Sequence, residues 1–445
     1  MPFFRDLCSG IVGNFRNCMT TPLTRKKLLI IGGIILAIIL LIIIIVVSVP
    51  SASDSNGRDA LVNVPLVEGN SDFKAYLTTN YIVSNYKYDD HFKEKTIGAQ
   101  VIATSVACDA QFKDAVPQTV DQLDFLQRLV EASNFLKIAH GAQDIRTNKV
   151  NNQHSVVLAV GGGHSLDSRL SVLRNYFNYG VRLVSLASSD CTNPWAMSIS
   201  GDANNITWNG ANFLKAVVGE MNRLGVAIDL AGSDKTVQTS VLDNTNAPVI
   251  YRGVGFSSIV KNNINIDDDI LEKMKTKAKD SLVMLSLDCS LISNNASDCT
   301  KKDFKALLNT AKSKLGVANI GIGGLRTGAM PKDLGYGDFP ALFDELKNEG
   351  WAIHELELLA GNNFINFLQN VEEEAKNLAA KKQQPAEDLF DIKSLNIKTD
   401  CYTPLPDPNP TPQPTQAPTT APTSVPTEAP TTTPTAAPNA TTKGP

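Results

Sequence analysis

The 445-residue chain has little of what nucleic-acid and nucleotide binding require. Its formal net charge of −4 at pH 7 argues against a role in nucleic-acid binding. Neither GxxxxGK[ST] nor GxGxxG occurs. The stretch LAVGGGHSLDS leads an apolar segment into Gly161, Gly162 and Gly163, but no lysine follows. These glycines therefore predict a tight strand-to-helix turn and not a phosphate loop.

Histidine is also scarce, because the chain has only five. Neither HxH nor HExxH occurs, so the histidines do not form a local zinc-binding motif. They lie far apart in the sequence, at His91, His140, His154, His164 and His354.

Charged residues are absent from Leu28 to Ser53. The apolar run 28–49 exceeds the roughly 20 residues that span a bilayer and is too long for the core of a signal peptide, so it predicts a transmembrane helix. Segment 1–27 carries five basic residues and one acidic residue. The positive-inside rule then predicts a single-pass type II protein of the plasma membrane, with a cytosolic N-terminus and an extracellular domain.

The C-terminal segment 403–445 holds 13 of the 23 prolines and is otherwise rich in Thr, Ala and Ser. Such a composition does not support a packed core, and it predicts a disordered, O-glycosylated, mucin-like tail. Three Asn-x-Ser/Thr sites for N-glycosylation, Asn205, Asn295 and Asn439, agree with an extracellular domain.

The seven cysteines divide between the two sides of the predicted membrane helix. Cys8 and Cys18 lie on the cytosolic side, where they are either palmitoylation sites or free thiols. Five cysteines lie outside, and an odd number in an oxidising compartment predicts two internal bridges and one cysteine that is either free or bonded to a partner chain. These five are Cys108, Cys191, Cys289, Cys299 and Cys401.

The central region 60–400 alternates short apolar runs with amphipathic stretches of helical period, which is typical of α/β proteins. The predicted strands are Val156–Val160, Val181–Ala187, Val226–Leu230, Val249–Tyr251, Leu282–Leu287 and Ile320–Ile322. The predicted helices are Val120–Ala139, Ser165–Tyr176, Gly210–Leu224, Asp268–Lys279, Lys302–Leu315 and Pro340–Gly350. This pattern suits either a (β/α)₈ TIM-type barrel or a doubly wound sheet, and periodicity alone does not choose between them.

A series of short motifs in this region resembles the membrane (renal) dipeptidases in order and spacing. The motifs are PLVEGNSDF from Pro65, IGAQ from Ile97, GGHSLDS from Gly162, CTNPWA from Cys191, EMNRLGVAIDLA from Glu220, APVIY from Ala247, DSLVM from Asp280, GIGG from Gly321 and GNN from Gly361. Since these motifs cover nearly all of residues 60–375, the resemblance implies one (β/α)₈ barrel with its site at the carboxyl ends of the strands.

Members of this family hold two zinc ions bridged by a carboxylate and a hydroxide that attacks a dipeptide, but most of the matching positions here lack metal ligands. A histidine of the family is replaced by Asn70, while Asp72 keeps its carboxylate. The bridging glutamate falls at Gly161, two ligand histidines at Gly232 and Gly253, an aspartate at Thr327, and a histidine near the substrate carbonyl at Ser189. We therefore expect no resident zinc cofactor, because glycine has no side-chain ligand atom.

The resemblance also implies how the cysteines pair. Cys108 and Cys191 match cysteines that form a bridge in the family. Cys289 is expected to pair with Cys299 through a local loop, because the family's partner cysteine is absent here. Cys401 resembles the cysteine through which family members form disulfide-linked dimers, so it predicts a covalent homodimer.

We interpret the chain as a catalytically inactive, dipeptidase-like cell-surface protein that acts in binding, adhesion or scaffolding, with an extracellular protein or glycan as its partner. A membrane-bound dipeptidase or other hydrolase with altered chemistry is the alternative. The replaced ligands reflect either drift or a reshaped pocket with Arg252 and Arg326 at its mouth. Because neighbouring strand residues face opposite sides, Arg252 points either into the mouth or toward the surrounding helices.

Overall fold

A computed structural model of the chain describes residues 56–391, apart from positions 72, 74–76, 79–80, 89–91, 93–95, 189, 201–209 and 327. No helix within this described part is long and apolar enough to cross a membrane. The predicted transmembrane segment 28–49 and the mucin-like tail 403–445 both lie outside it.

Eight parallel strands form a nearly closed (β/α)₈ barrel. Of the two folds that the periodicity left open, the structure therefore has the barrel and not the open, doubly wound sheet. Along the barrel the strands follow the order β1-β2-β4-β5-β6-β7-β8-β9. The amide of Gly69 after β1 donates to the carbonyl of Ile322 in β9 at 3.0 Å, which brings the two ends of the sheet together. The strands are β1 Leu66–Glu68, β2 Ile97–Thr104, β3 Leu136–Ile138, β4 His154–Val160, β5 Leu183–Ser185, β6 Ala227–Asp229, β7 Val249–Val254, β8 Leu282–Ser286 and β9 Ile320–Gly324.

The short strand β3 is an addition to the eight-stranded barrel. It pairs in parallel with the first half of β4, from Leu136 opposite His154 to Ile138 opposite Val156. Strand β2 pairs along one edge of β4. On the other edge, β5 pairs with the last residues of β4, and β3 pairs with the first ones.

Amphipathic helices surround the sheet and bury one face against it. The α-helices are α1 Ala60–Asn63, α2 Ala115–Glu131, α3 Ala142–Val150, α4 Leu170–Asn178, α5 Ala211–Leu224, α6 Lys235–Asn244, α7 Asp268–Lys277, α8 Cys289–Ile292, α9 Lys301–Leu315, α10 Phe339–Asn348, α11 Ile353–Glu357 and α12 Asn363–Ala380. Short 3₁₀ turns lie at Gly57–Asp59, Val83–Asn85, Cys108–Ala110, Gly163–Leu166, Ala296–Asp298, Val317–Asn319 and Tyr336–Asp338, and the π-helical segment Leu358–Asn362 precedes α12.

The predicted helix Val120–Ala139 is wrong in its last turns, because α2 ends at Glu131 and β3 follows at Leu136. Ser133 stops the helix locally. Its hydroxyl accepts hydrogen bonds from the amides of Phe135 and Leu136 at 3.2 and 3.1 Å, so these amides do not continue the helical pattern.

The predicted helix Ser165–Tyr176 begins too early. The backbone first forms the 3₁₀ turn Gly163–Leu166, and Asp167 and Ser168 then adopt left-handed φ values of 44° and 55°. Two successive left-handed residues interrupt a right-handed helix, so α4 starts only at Leu170.

Helix α12 closes the amino-terminal end of the barrel. Its buried side chains form one apolar cluster with residues on the strands. The helix contributes Phe364, Phe367, Leu368 and Val371, and the strands contribute Val67, Val101, Val157, Leu183, Ala227, Ile250 and Leu282. This end of the barrel is therefore filled by a packed apolar core.

Residues after α12 return toward the opposite, carboxyl-terminal end. The Ala386 amide donates to the buried carboxylate of Glu220 in α5 at 3.1 Å, and Arg174 in α4 donates to the same carboxylate at 2.8 Å. Phe390 packs on Phe213 with ring centroids 5.6 Å apart, and Phe213 in turn packs on Trp195. The described chain thus ends beside the loops that surround the barrel mouth.

Candidate functional site

The loops at the carboxyl ends of the strands surround a cavity of about 400 Å³, which lies within the size range of small-molecule sites. Its wall includes Asn70 after β1, Thr104 at the end of β2, Gly161 after β4, Asp229 at the end of β6 and Arg252 in β7. TIM-type barrels carry their functional residues at this end. The cavity is therefore the candidate site.

Arg252 is the centre of a polar network in this mouth. The pairing of β7 with β8 shifts register between Arg252 and Val254, and Gly253 between them has a φ of 64°. The guanidinium points into the mouth, where Nη1 donates to the Gly69 carbonyl at 3.1 Å and Nη2 to Ser185 Oγ at 3.1 Å. Of the two orientations left open by the sequence, the structure has the inward one.

Asp229 neutralises this guanidinium. Its carboxylate accepts from Arg252 Nε at 3.0 Å, from Ser185 Oγ at 2.7 Å and from the Ala231 amide at 3.1 Å. Arg252 is 3% exposed and Asp229 is 1% exposed, so both charges are buried and each is held by several hydrogen bonds. Together with Gly69, the network connects the ends of β1, β5, β6 and β7.

Arg326 lies beside this network without joining it as an ion pair. Its Nη2 donates to the Arg252 carbonyl at 3.1 Å, and its Nε to the Gly253 carbonyl at 3.4 Å. Burial lowers the pKa of the guanidinium, and the negative charge of Asp229 opposes that effect. No carboxylate of the described residues lies within 4.0 Å of it.

The glycines at three of the expected ligand positions adopt conformations or contacts that disfavour a side chain. A Cβ on Gly161 would clash with the Thr104 carbonyl oxygen on the neighbouring strand. Gly232 and Gly253 have φ values of 90° and 64°, which L-residues rarely adopt. The backbone at these three expected positions is thus arranged in a way that suits glycine.

Asn70 is the other expected ligand position that the structure describes. Its Nδ2 donates to the Leu325 carbonyl, which ties the loop after β1 to the loop after β9. Asp72, Ser189 and Thr327 lie outside the described residues.

His164 lines the cavity, and no other histidine of the described residues does. Its Nε2 lies 3.0 Å from the Val106 carbonyl, so Nε2 carries the proton and donates. Burial lowers its pKa, and Nδ1 has no hydrogen-bond partner in the described part of the chain. His154 is at the far end of β4, where burial lowers its pKa to about 4 and its ring packs edge-on to Phe92.

Both predicted internal disulfides are present in the structure. Cys108 and Cys191 join the loops after β2 and β5 at the rim of the cavity, with their Cα atoms 5.4 Å apart. Cys289 and Cys299 close a local loop, with a Cα separation of 5.8 Å. Cys401, Cys8 and Cys18 lie outside the described residues, as do Asn205 and Asn439, whereas Asn295 is exposed.

A family model described as membrane dipeptidase, peptidase family M19, matches residues 56–382. The chain belongs to the membrane dipeptidase family. It is 30% identical to human dipeptidase 3 over 378 residues, which cover 80% of this chain and 75% of that protein. It is 27% identical to dipeptidase aclJ of Aspergillus oryzae over 72% of this chain and 81% of that one.

Solved structures of other proteins share the fold of this chain. A Pseudomonas aeruginosa amidohydrolase superposes with a TM-score of 0.60 at 17% identity, over 71% of this chain and 99% of that one. A Rhodobacter sphaeroides metallo peptidase, liganded with a phosphinate mimic of the dipeptide L-Ala-D-Ala, superposes with a TM-score of 0.56 at 17% identity, over 69% and 99% of the two chains.

The described residues of this family member do not fit two zinc ions. Each ion needs about three protein ligands, whereas Gly161, Gly232 and Gly253 offer no side-chain atom. The carboxylate of Asp229 is committed to Arg252, and the guanidinium groups of Arg252 and Arg326 bring positive charge to the mouth. Among the described residues no group of three or more His, Cys, Asp or Glu side chains is placed to hold a metal ion.

Sequence reasoning missed the acidic partners at this dipeptidase-like mouth. It noted Arg252 but not Asp229, although Asp229 stands three residues before Gly232. It also missed Glu68, whose buried carboxylate accepts from Gln100 Nε2 at 2.6 Å and from the Tyr336 hydroxyl. A lone acidic residue at the end of an apolar strand is the signal that could have indicated both.

Proposed function

We propose that this dipeptidase-family protein acts by binding at the cell surface and does not carry out metal-dependent peptide hydrolysis. The observation that carries the proposal is the buried Arg252 guanidinium, which donates to the ends of three other strands inside the mouth. The carboxylate of Asp229 is committed to this guanidinium and is not available as a metal ligand, and the network already holds the strand ends together without a metal ion.

The glycine conformations support the same function. A catalytic metal site needs its ligands fixed by the surrounding backbone, yet Gly161 has no room for a Cβ and Gly232 and Gly253 are left-handed. The barrel mouth has become a polar cavity enclosed by the disulfide-linked rim, which suits binding.

The proposal is tested by metal content and turnover of the full-length protein purified in a neutral detergent. After exposure to zinc and gel filtration, we expect well under one zinc per chain and no hydrolysis of L-Ala-D-Ala. The Rhodobacter sphaeroides metallo peptidase, assayed in parallel, is the positive control. Near-stoichiometric zinc together with turnover that a chelator abolishes would contradict the proposal.

A hydrolase with altered chemistry is the second candidate function. It is favoured by His164, a buried neutral histidine on the cavity wall. Its Nδ1 has no hydrogen-bond partner among the described residues and could accept a proton. Turnover that persists in the presence of a chelator and is lost in His164→Ala would support this candidate, whereas metal-dependent turnover would not.

Topology and assembly are part of the proposal. Segment 28–49 would anchor a type II protein in the plasma membrane, and the described chain ends at Phe390 and Asp391 beside the mouth, so the mucin-like tail would extend from that side. A homodimer linked through Cys401 would present two binding sites to an extracellular protein or glycan partner. A non-reducing gel should show a dimer band that Cys401→Ser removes, and a wild-type monomer would exclude the linkage.

A further inference from the structure

The two arginines that line the mouth cavity differ in their ionic partners. Arg252 has the Asp229 carboxylate at 3.0 Å. Arg326 donates through Nε and Nη2 to backbone carbonyls only, and its Nη1 has no acceptor among the residues that the structure describes. Asp229, Asp288 and Asp190 act on Arg326 at longer range. A partly buried cation without a direct ion-pair partner has a desolvation cost, which a bound anion reduces through charge-assisted hydrogen bonds.

The other charges on the wall restrict the charge of such an anion. Asp190 and Asp229 line the same cavity as Arg252 and Arg326, so the described residues of the wall include two carboxylates and two guanidinium groups. A monoanion can pair with Arg326 with little electrostatic repulsion from these carboxylates. A dianion is repelled by the two carboxylates, and this repulsion is strong in a cavity that screens charge less than water does.

The remaining wall indicates the body of the ligand. Next to the polar groups it is formed by small apolar side chains, namely Ala103, Val106, Ala107, Ala187 and Ala231. The volume of about 400 Å³ accepts a compact organic molecule but not a folded peptide segment. We propose that the cavity binds a small monocarboxylate with a short apolar body, whose carboxylate pairs with the Arg326 guanidinium; this rests on the proposed non-catalytic binding function of the same cavity.

The first test compares charge at constant shape. The full-length protein in neutral detergent and EDTA is titrated calorimetrically with butyrate and benzoate, with the isosteric amides butyramide and benzamide, and with inorganic phosphate. The carboxylates are expected to bind at least about tenfold more tightly than their amides, and phosphate more weakly than either carboxylate. Equal affinity for acid and amide, tighter binding of phosphate, or no binding of any carboxylate at millimolar concentration overturns the proposal.

The second test removes the guanidinium. Arg326→Gln should weaken benzoate binding at least about tenfold, and Arg326→Lys should recover part of the affinity. Arg128→Gln, which alters an exposed arginine paired with Asp124, is the matched control and should bind as the wild type does. If Arg326→Gln binds benzoate as tightly as the wild type, Arg326 does not hold the carboxylate and the proposal is wrong.

The two proposals can fail separately. The titration contains a chelator, and its ligands have no peptide bond, so metal-dependent peptidase activity does not affect it. Zinc-dependent turnover with normal benzoate binding would remove the non-catalytic function only. Absent benzoate binding without turnover would remove the monocarboxylate site only. If Arg326→Gln does not fold, the acid and amide comparison in the wild type still decides.

Discussion

The two ends of this barrel differ in what holds them together. At the amino-terminal end, Phe364 and Phe367 of α12 pack among strand side chains such as Val157 and Ile250 in a wholly apolar cluster. At the carboxyl-terminal end, a buried ion pair and left-handed glycines take that place. Because the fold depends on packing at the amino-terminal end, the residues at the other end can differ in their chemistry while the barrel persists.

Removing an aromatic side chain from the apolar cluster at the amino-terminal end should reduce stability most. Phe364 is 1% exposed, so Phe364→Ala leaves a cavity and should lower the free energy of unfolding by about 4 kcal/mol, measured by urea denaturation. The folded fraction should bind benzoate as the wild type does, because the mouth is unchanged.

Leu389→Ala is the control for this variant, since Leu389 is 94% exposed and its loss should change stability by less than about 0.5 kcal/mol. If the Phe364 variant were as stable as this control, α12 would not be the element that closes the barrel.

Breaking the ion pair at the mouth should have the next largest effect. Arg252→Met leaves the Asp229 carboxylate buried without its cation, which should cost about 3 kcal/mol in the free energy of unfolding. The double variant Arg252→Met with Asp229→Leu removes both charges and should recover most of that loss. Urea denaturation of the single and double variants gives the coupling.

The exposed pair of Arg128 and Asp124 provides the comparison, and Arg128→Met should cost less than about 1 kcal/mol. A double variant at the mouth that is no more stable than Arg252→Met alone would show that the network acts through hydrogen bonds to Gly69 and Ser185 and not through charge compensation.

Introducing a histidine at an expected ligand position should be destabilising. Gly253→His forces an L-residue to a φ of 64° and should lower the free energy of unfolding by about 1–2 kcal/mol without any gain of zinc. Gly219→His is the matched control, because Gly219 lies within α5 with nothing within 4 Å of a Cβ, and histidine is the better helix former. Zinc binding by the Gly253 variant would mean that the backbone at the mouth readily adopts a conformation that holds a metal ligand.

Most strands of the barrel could be predicted from the sequence, whereas β1, β2 and β3 were missed. The apolar, β-branched run Val156–Val160 and the run Ile320–Ile322 were recognised, and both are strands. Strands β1 and β3 have only three residues each, and Glu68 within β1 carries a charge. The eight-residue strand β2 was missed as well, whereas the three-residue strands β5 and β6 lie within predicted apolar runs. Strand length alone therefore does not decide what the sequence shows, because neighbours in the sheet also determine the conformation of a segment.

The candidate site was predictable in its residue types but not in its geometry. The resemblance implies that Gly161 and Gly253 stand where the family has ligands, but a left-handed φ or a clash with Thr104 depends on neighbouring strands. The partner of Arg252 is likewise 23 residues away along the chain and directly beside it in the barrel.

An effect of similar size but opposite sign is expected at Asp167, on the left-handed turn that follows the mouth glycines. Burial raises the pKa of its carboxyl to about 6, although its Oδ1 accepts from the Phe112 amide at 2.7 Å. Because the folded pKa lies above that of the unfolded chain, the ionised carboxylate opposes folding above about pH 6, and this penalty disappears as the pH falls toward 4.

Asp167→Asn keeps the hydrogen-bond acceptor, tolerates the left-handed conformation and cannot ionise. We therefore expect it to raise the free energy of unfolding by about 1–2 kcal/mol at pH 7.4 and by almost nothing at pH 4, as measured by urea denaturation at both pH values. Asp388→Asn, at an exposed position, should change neither value. A gain of equal size at the two pH values would mean that asparagine acts through the turn backbone and not through the lost charge. In that case the strain of the left-handed pair Asp167 and Ser168, and not the buried charge, would be the weak point of this turn.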